Sequence, residues 1–100
     1  MPKGYWIARV NVTDQTRYAA YMADNGEALH KYGAKFLVRG GTFESPEGRS
    51  KARNVVIEFP SYQAAVDCYH SPEYQRAKAK RIGGADFDVV VIEGYDGQQP

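Results

Sequence analysis

The order of strand and helix patterns along this chain constrains its fold more than any other feature of the sequence. Alternating apolar residues predict strands, and apolar residues spaced three or four apart predict helices. On this basis the chain contains a strand, a helix, two strands, a second helix interrupted once, and a last strand. These segments are residues 5–12, 13–33, 35–43, 54–59, 61–82 and 87–92.

The segment boundaries are marked by residues with special backbone chemistry. Serine and aspartate side chains accept hydrogen bonds from the free amides of a first helical turn, and glycine commonly ends a helix. The predicted caps and stops are, in chain order, Asp14, Gly33, Ser61, Ser71 and Gly83. Gly40 and Gly41 predict a bulge or a close approach in the second strand, and the polar residues 45–50 predict an exposed hairpin loop.

The β-α-β-β-α-β order is that of ferredoxin-like folds, an α+β class in which strands one and three are central. We expect a four-stranded antiparallel sheet with helices on one face. The opposite face, here called the second face, still carries the apolar residues Tyr5, Ile7, Leu37, Val56, Val90 and Ile92. Because such a surface needs a cover, we expect a homodimer in which two sheets enclose a barrel-like space, a dimeric α/β barrel.

Length and composition limit the class of protein. The 100 residues fit one domain, with a core at 5–94 and a polar tail at 95–100. A net charge of +1 argues against partners such as nucleic acid or a membrane surface. The amino terminus has no signal-like apolar segment and Cys68 is the single cysteine, so we expect a cytoplasmic protein without a disulfide.

Four polar residues interrupt the pattern predicted for the second face: Arg9, Asn11, Arg39 and Glu58. Buried charges persist only when they are paired, so two arginines converging on Glu58 would leave donors free for a small polar or anionic molecule. This is the predicted pocket. The alternative is an ion-pair network that only stabilises the interface, and the sequence weights the two readings about equally.

Other candidate chemistries have weaker support. Cys68 falls on the inward face of a helix among alanines, which predicts an inert thiol. No spacing of His, Cys or carboxylates matches a metal site, and neither glycine pair fits a phosphate or dinucleotide loop, so we expect no metal and no cofactor.

Several segments resemble one known family. They are residues 37–41 (LVRGG), 56–60 (VIEFP), 64–65 (AA) and 69–75 (YHSPEYQ). Together they are similar to the domain of unknown function 1330 family, over nearly the whole chain from Tyr5 to Gly94. The resemblance implies a ferredoxin-like dimeric barrel but no established activity. By position, it adds Ser71, Tyr74 and Arg81 to the candidate ligand-binding residues Arg39 and Glu58. This chain departs from the family pattern at Ala34, where Gly is usual, and at Cys68, where Trp is common.

Two classes of function follow. The first is a homodimeric small-molecule-binding module, or a cofactor-independent enzyme of oxygenase or isomerase type by analogy with related barrels. The second is a structural or regulatory interaction protein without catalytic activity. The residues do not decide whether the chain is an enzyme, and they name no catalytic group.

Overall fold

A computed structural model describes residues 2–100 and shows one antiparallel sheet carrying helices on one side. The elements are β1 (Gly4–Val12), α1 (Gln15–Asp24), α2 (Gly26–Lys31), β2 (Lys35–Arg39), β3 (Arg53–Phe59), α3 (Tyr62–His70), α4 (Pro72–Arg81) and β4 (Ala85–Glu93). The strand order is β2-β3-β1-β4, so β1 and β3 are central. The predicted α+β, ferredoxin-like fold is confirmed. None of the helices within residues 2–100 is long and apolar enough to cross a membrane.

Side-chain caps begin three of the helices, as the sequence predicts. The Asp14 carboxylate accepts from the Arg17 amide at 3.1 Å, and the Ser61 hydroxyl accepts from the Ala64 amide at 3.1 Å. Ser71 caps α4, where Pro72 takes an early position that needs no amide donor. The helix predicted at 13–33 is divided in two at Asn25, next to Gly26, a residue with low helix propensity.

The core lies between the helices and the face of the sheet formed by Trp6, Ala8, Val10, Val55, Ile57 and Phe59, all of them buried. Trp6 is at its centre and is only 3% exposed. Its indole nitrogen donates to the Ala65 carbonyl at 2.9 Å, which satisfies the polar end of an otherwise apolar ring. The ring also packs edge-on against Tyr74, joining β1 to both α3 and α4.

The second face of the sheet has no covering element within this chain. Ile7 is 41% exposed and Val90 is 54% exposed, and the two residues are directly paired across β1 and β4. Val38 and Ile92 are exposed on the same side. A contiguous apolar patch of this kind is unusual on a monomer in water.

A bulge in β2 changes which residues face the helices. Phe36 pairs with Ile57, and Val38 pairs with Val56, so Leu37 is an extra residue in the strand. Alternation then resumes one residue out of step, and Arg39 pairs with Val55, whose side chain faces the helices. The prediction that Arg39 lies on the second face is therefore wrong. The strand ends at Arg39 rather than at residue 43, and the bulge precedes the glycines. The close approach predicted at the glycines is present at Gly40, where a Cβ atom would lie 2.6 Å from Arg53 Nη1.

Candidate functional site

A pocket lies between α1, α2 and the helix-covered face of the sheet. Its empty volume is about 440 Å³, including the space at its open mouth. The apolar lining is formed by Trp6, Ala8, Met22, Leu29, Phe36, Val55, Ile57 and Phe87. The polar lining is formed by Tyr18, Tyr21, Asn25, Arg39 and Arg53. An apolar cleft with a few converging polar groups is the usual form of a small-molecule site.

The charged residues of the pocket lining are both arginines. Arg39 is placed there by the β2 bulge, and its guanidinium lies 4.2 Å from the centroid of the Phe36 ring. Arg53 is the first residue of β3 and shares the side of Val55. Its Nε atom is buried and has no hydrogen-bond partner. Among residues 2–100, neither arginine forms an ion pair.

Tyr18 supplies a phenol beside Arg53. Burial raises the pKa of Tyr18, the positive charge of Arg53 opposes that rise, and neighbouring Tyr21 adds to it. The balance leaves the pKa above its ordinary value, so the phenol stays protonated at neutral pH and can donate a hydrogen bond.

Behind the pocket wall, Tyr21 continues into a buried polar network. Its hydroxyl lies 2.8 Å from the Tyr74 hydroxyl, and Arg81 Nη2 donates to the same Tyr74 oxygen at 3.4 Å. Burial raises the pKa of Tyr74, so this phenol also remains neutral. The network joins α1 to α4.

Arg81 is a buried cation, 5% exposed, at the end of α4. Its guanidinium stacks on the Phe87 ring, 3.8 Å from the ring centroid. Phe87 also lines the pocket. Within the described part of the chain Arg81 has no carboxylate partner, and its Nε atom has no hydrogen-bond acceptor. Aromatic stacking therefore replaces the ion pair that a buried arginine normally has.

Ser71 has a structural position within the same region. Its hydroxyl accepts from the Tyr74 amide at 3.1 Å and donates to the Cys68 carbonyl at 2.7 Å. The hydroxyl therefore acts both as a hydrogen-bond donor and as an acceptor within the protein. Ser71 thus fixes the α3–α4 junction and the position of Tyr74, and it does not line the pocket.

The polar residues of the second face do not converge as predicted. The antiparallel register sets Glu58 opposite Tyr5, whose hydroxyl donates to the Glu58 carboxylate at 3.2 Å. Arg9 lies opposite Asn54, further along the sheet. The prediction of two arginines on Glu58 is wrong because register separates Arg9 from Glu58 and the bulge moves Arg39 to the other face.

Arg9 and Asn11 instead hold the loop between β2 and β3. Arg9 Nη2 donates to the Arg49 carbonyl at 3.0 Å, and the Asn11 side-chain oxygen accepts from the Ala52 amide at 2.8 Å. Lys51 completes the attachment with an ion pair to Asp88 at 2.6 Å. These contacts tie the loop to one end of the second face.

Sequence patterns missed Tyr18, Tyr21, Asn25 and Arg53 as pocket residues. The tyrosines have helical spacing that also fits simple core packing. Arg53 carried a usable signal, since it alternates with Val55 and Ile57, which face the core. Beginning the predicted strand at Asn54 discarded that signal.

Comparison with known families agrees with the fold. The family model for the domain of unknown function DUF1330 matches residues 3–95. The chain belongs to the DUF1330 family. A search of curated protein sequences finds no match.

Solved structures show where else the fold of this DUF1330 protein occurs. A protein of unknown function from Rhodopseudomonas palustris is 20% identical, with a TM-score of 0.73 over 96% of this chain and 85% of that one. SnoaB, a cofactor-independent oxygenase from Streptomyces nogalater, is 9% identical, with a TM-score of 0.61 over 100% of this chain and 97% of its own. A dimeric ferredoxin-like protein of unknown function from Bacteroides fragilis is 16% identical, with a TM-score of 0.53 over 91% and 95%. At these identities the likeness concerns the fold.

Proposed function

We propose that this DUF1330 protein is a homodimeric small-molecule-binding protein whose ligand occupies the pocket between α1, α2 and the sheet. The observation that carries the proposal is the pocket itself: three walls of apolar and aromatic side chains, with two unpaired arginines and a tyrosine hydroxyl among them. Polar donors left without acceptors in an apolar cleft are costly unless a ligand or water uses them.

The second face supports the dimer. Exposed Ile7 and Val90 lie near the middle of that face, and a second copy turned by a twofold axis would cover them with the same residues. The structurally similar protein from Bacteroides fragilis is described as dimeric, which favours the same arrangement here. In this arrangement the dimer interface and the pocket lie on opposite sides of each sheet.

A cofactor-independent enzyme is the second candidate, favoured by the structural similarity to the oxygenase SnoaB. The arginines and the protonated Tyr18 could stabilise negative charge that develops on a bound carbonyl compound. Proton abstraction would also need a base, and neither a carboxylate nor a histidine is among the residues that line the pocket in the described chain. Binding therefore has more support than catalysis.

Native mass spectrometry of the purified protein tests both parts of the proposal. We expect a dimer, together with a retained small molecule or a metabolite that raises the melting temperature in a thermal-shift panel. The matched variant is Met22→Trp, because Met22 is exposed at the pocket mouth and a larger ring there would block entry with little effect on the core. A dimer that binds nothing in either form would favour the interaction protein, and a monomer would contradict the assembly.

A further inference from the structure

We infer that the pocket selects a small, largely apolar molecule carrying a single negative charge, of the carboxylate class, and that Arg39 and Arg53 hold its anionic end. This inference rests on the proposed small-molecule site and names its ligand class. It concerns the helix-covered side of the sheet.

The charge of the pocket lining favours an anionic ligand. Two guanidinium groups line the pocket and no carboxylate accompanies them among the residues described. Arg53 is half-buried, and its Nε donor is buried without an acceptor. A carboxylate has two oxygens that can accept a forked pair of hydrogen bonds from a guanidinium, and no carboxylate of the described chain engages Arg39 or Arg53.

A further positive charge lies next to the pocket lining. Arg81 places an additional positive charge against Phe87, on the protein side of the pocket, and no carboxylate in the described chain neutralises it. Charges in such an interior are poorly screened. The four acidic residues that adjoin lining residues in sequence all have other partners: Asp24 pairs with Arg76 and Lys80, Glu58 accepts from the Tyr5 hydroxyl, and Asp86 and Asp88 pair with Lys51. The potential in the pocket is therefore positive.

The apolar part of the pocket is lined largely by aromatic rings. Trp6, Phe36 and Phe87 present rings to the same space, and Arg39 extends the Phe36 surface by stacking on it. Flat walls of this kind suit a planar or short-chain body. The empty volume of about 440 Å³, which includes the open mouth, is at the small end of the range for ligand pockets and fits a molecule of one ring better than a larger polycycle.

Calorimetric titration with matched acids and amides tests the inference. The probes are benzoate with benzamide, phenylacetate with phenylacetamide, and hexanoate with hexanamide, each pair differing mainly in charge. We expect at least one acid to bind about tenfold more tightly than its amide, since a charge-assisted contact adds that much over a neutral one. Tyr18 donates to either probe, so its contribution cancels within a pair.

Three single variants locate the effect. Arg53→Gln and Arg39→Gln should each reduce the preference for the acid by about threefold, since the two guanidinium groups share the preference of about tenfold. Arg49→Gln, an exposed arginine of the β2–β3 loop, removes the same charge elsewhere and should leave the preference unchanged. Arg39 is exposed, so its variant should fold even if the Arg53 variant does not.

Failure of this inference can be distinguished from failure of the proposed function. Equal binding of acid and amide in every pair, or a preference that survives both arginine variants, would overturn the inference while leaving a small-molecule site. Failure of all three acids to bind would also overturn it. Whether the pocket binds any molecule is then decided independently by the ligand retained in native mass spectrometry.

Discussion

The hydroxyls of Tyr21 and Tyr74 lie 2.8 Å apart inside the protein, with one ring on α1 and the other on α4. Tyr21 is also part of the pocket wall. The contact therefore couples the wall of the candidate site to the end of the helix layer that carries Arg81. The positions of the side chains that line the pocket therefore depend on this buried hydrogen bond as well as on the sheet.

Removing one hydroxyl from this link should destabilise the fold. In Tyr74→Phe, both the Tyr21 hydroxyl and Arg81 Nη2 lose their partner in a buried site, so we expect the free energy of unfolding to fall by about 1–3 kcal/mol. Urea denaturation measures this change in the free energy of unfolding. Tyr62→Phe, at an exposed tyrosine, is the control and should change little. Equal stability of the two variants would show that the network is energetically unimportant.

The Ser71 hydroxyl should contribute as a helix cap and not as a ligand contact. We expect Ser71→Ala to lower the free energy of unfolding by about 1 kcal/mol, because the Tyr74 amide loses its acceptor. Ser45→Ala, in the exposed loop, is the matched control. If the Ser71 variant retained full stability and lost affinity for a pocket ligand, the structural assignment would be wrong.

Cys68 should make stability depend on pH in the alkaline range. Burial, with a smaller contribution from the negative charge of Glu73, raises the pKa of the Cys68 thiol to about 12. In the unfolded chain the thiol ionises above about pH 8.5. The folded state binds this proton more tightly, so the thiol's contribution is complete below that pH and is lost as the pH rises toward 12.

The measurement is urea unfolding at pH 7.5 and pH 10 for the wild type and Cys68→Ala. Other groups titrate in both proteins, so their effects cancel. We expect the stability difference between the two proteins to change by about 1–2 kcal/mol in favour of the alanine variant at the higher pH. An unchanged difference would mean that the thiol is accessible in the folded state.

Gly40 should matter for the pocket although it does not line it. A Cβ atom at Gly40 would lie 2.6 Å from Arg53 Nη1, and the backbone there has a φ of +73°. Gly40→Ala should therefore cost about 1 kcal/mol or more and displace the Arg53 guanidinium. Gly41→Ala, where no atom lies within 4 Å, is the control. The melting temperature and the affinity for an anionic probe should both fall in Gly40→Ala and stay unchanged in Gly41→Ala.

Sequence patterns specified the fold well because it depends on local features. The caps Asp14, Ser61 and Ser71 and the alternation in the central strands predict the elements, and the element order predicts the topology. The bulge at Leu37 could not be predicted from alternation. A single extra residue reversed the faces of everything after it, and this moved Arg39 from the second face into the pocket.

Register explains the other error in the candidate site. Arg9 and Glu58 occupy neighbouring strands on one face, which a pattern can predict. Their separation depends on how the strands pair, and that is fixed by the whole core. Arg81 was named only from family resemblance, and its stacking on Phe87 depends on a contact between distant segments.

The proposed dimer depends on the second face. Val90→Lys places a charge in the middle of the proposed interface and should convert the dimer to a monomer, as measured by analytical ultracentrifugation. Ile82→Lys is matched in exposure, 55% against 54% for Val90, but lies at the end of α4. It should remain a dimer. Dissociation by the Ile82 variant alone would place the interface on the helices.

The most direct test of the pocket uses the single tryptophan of the chain. Trp6 is 3% exposed and lines the pocket, so a bound ligand must contact or approach its ring. A compound that raises the melting temperature should change the Trp6 emission saturably, with the dissociation constant found by calorimetry. If such a compound saturates the protein without altering the Trp6 emission, it binds elsewhere and the pocket is not the functional site.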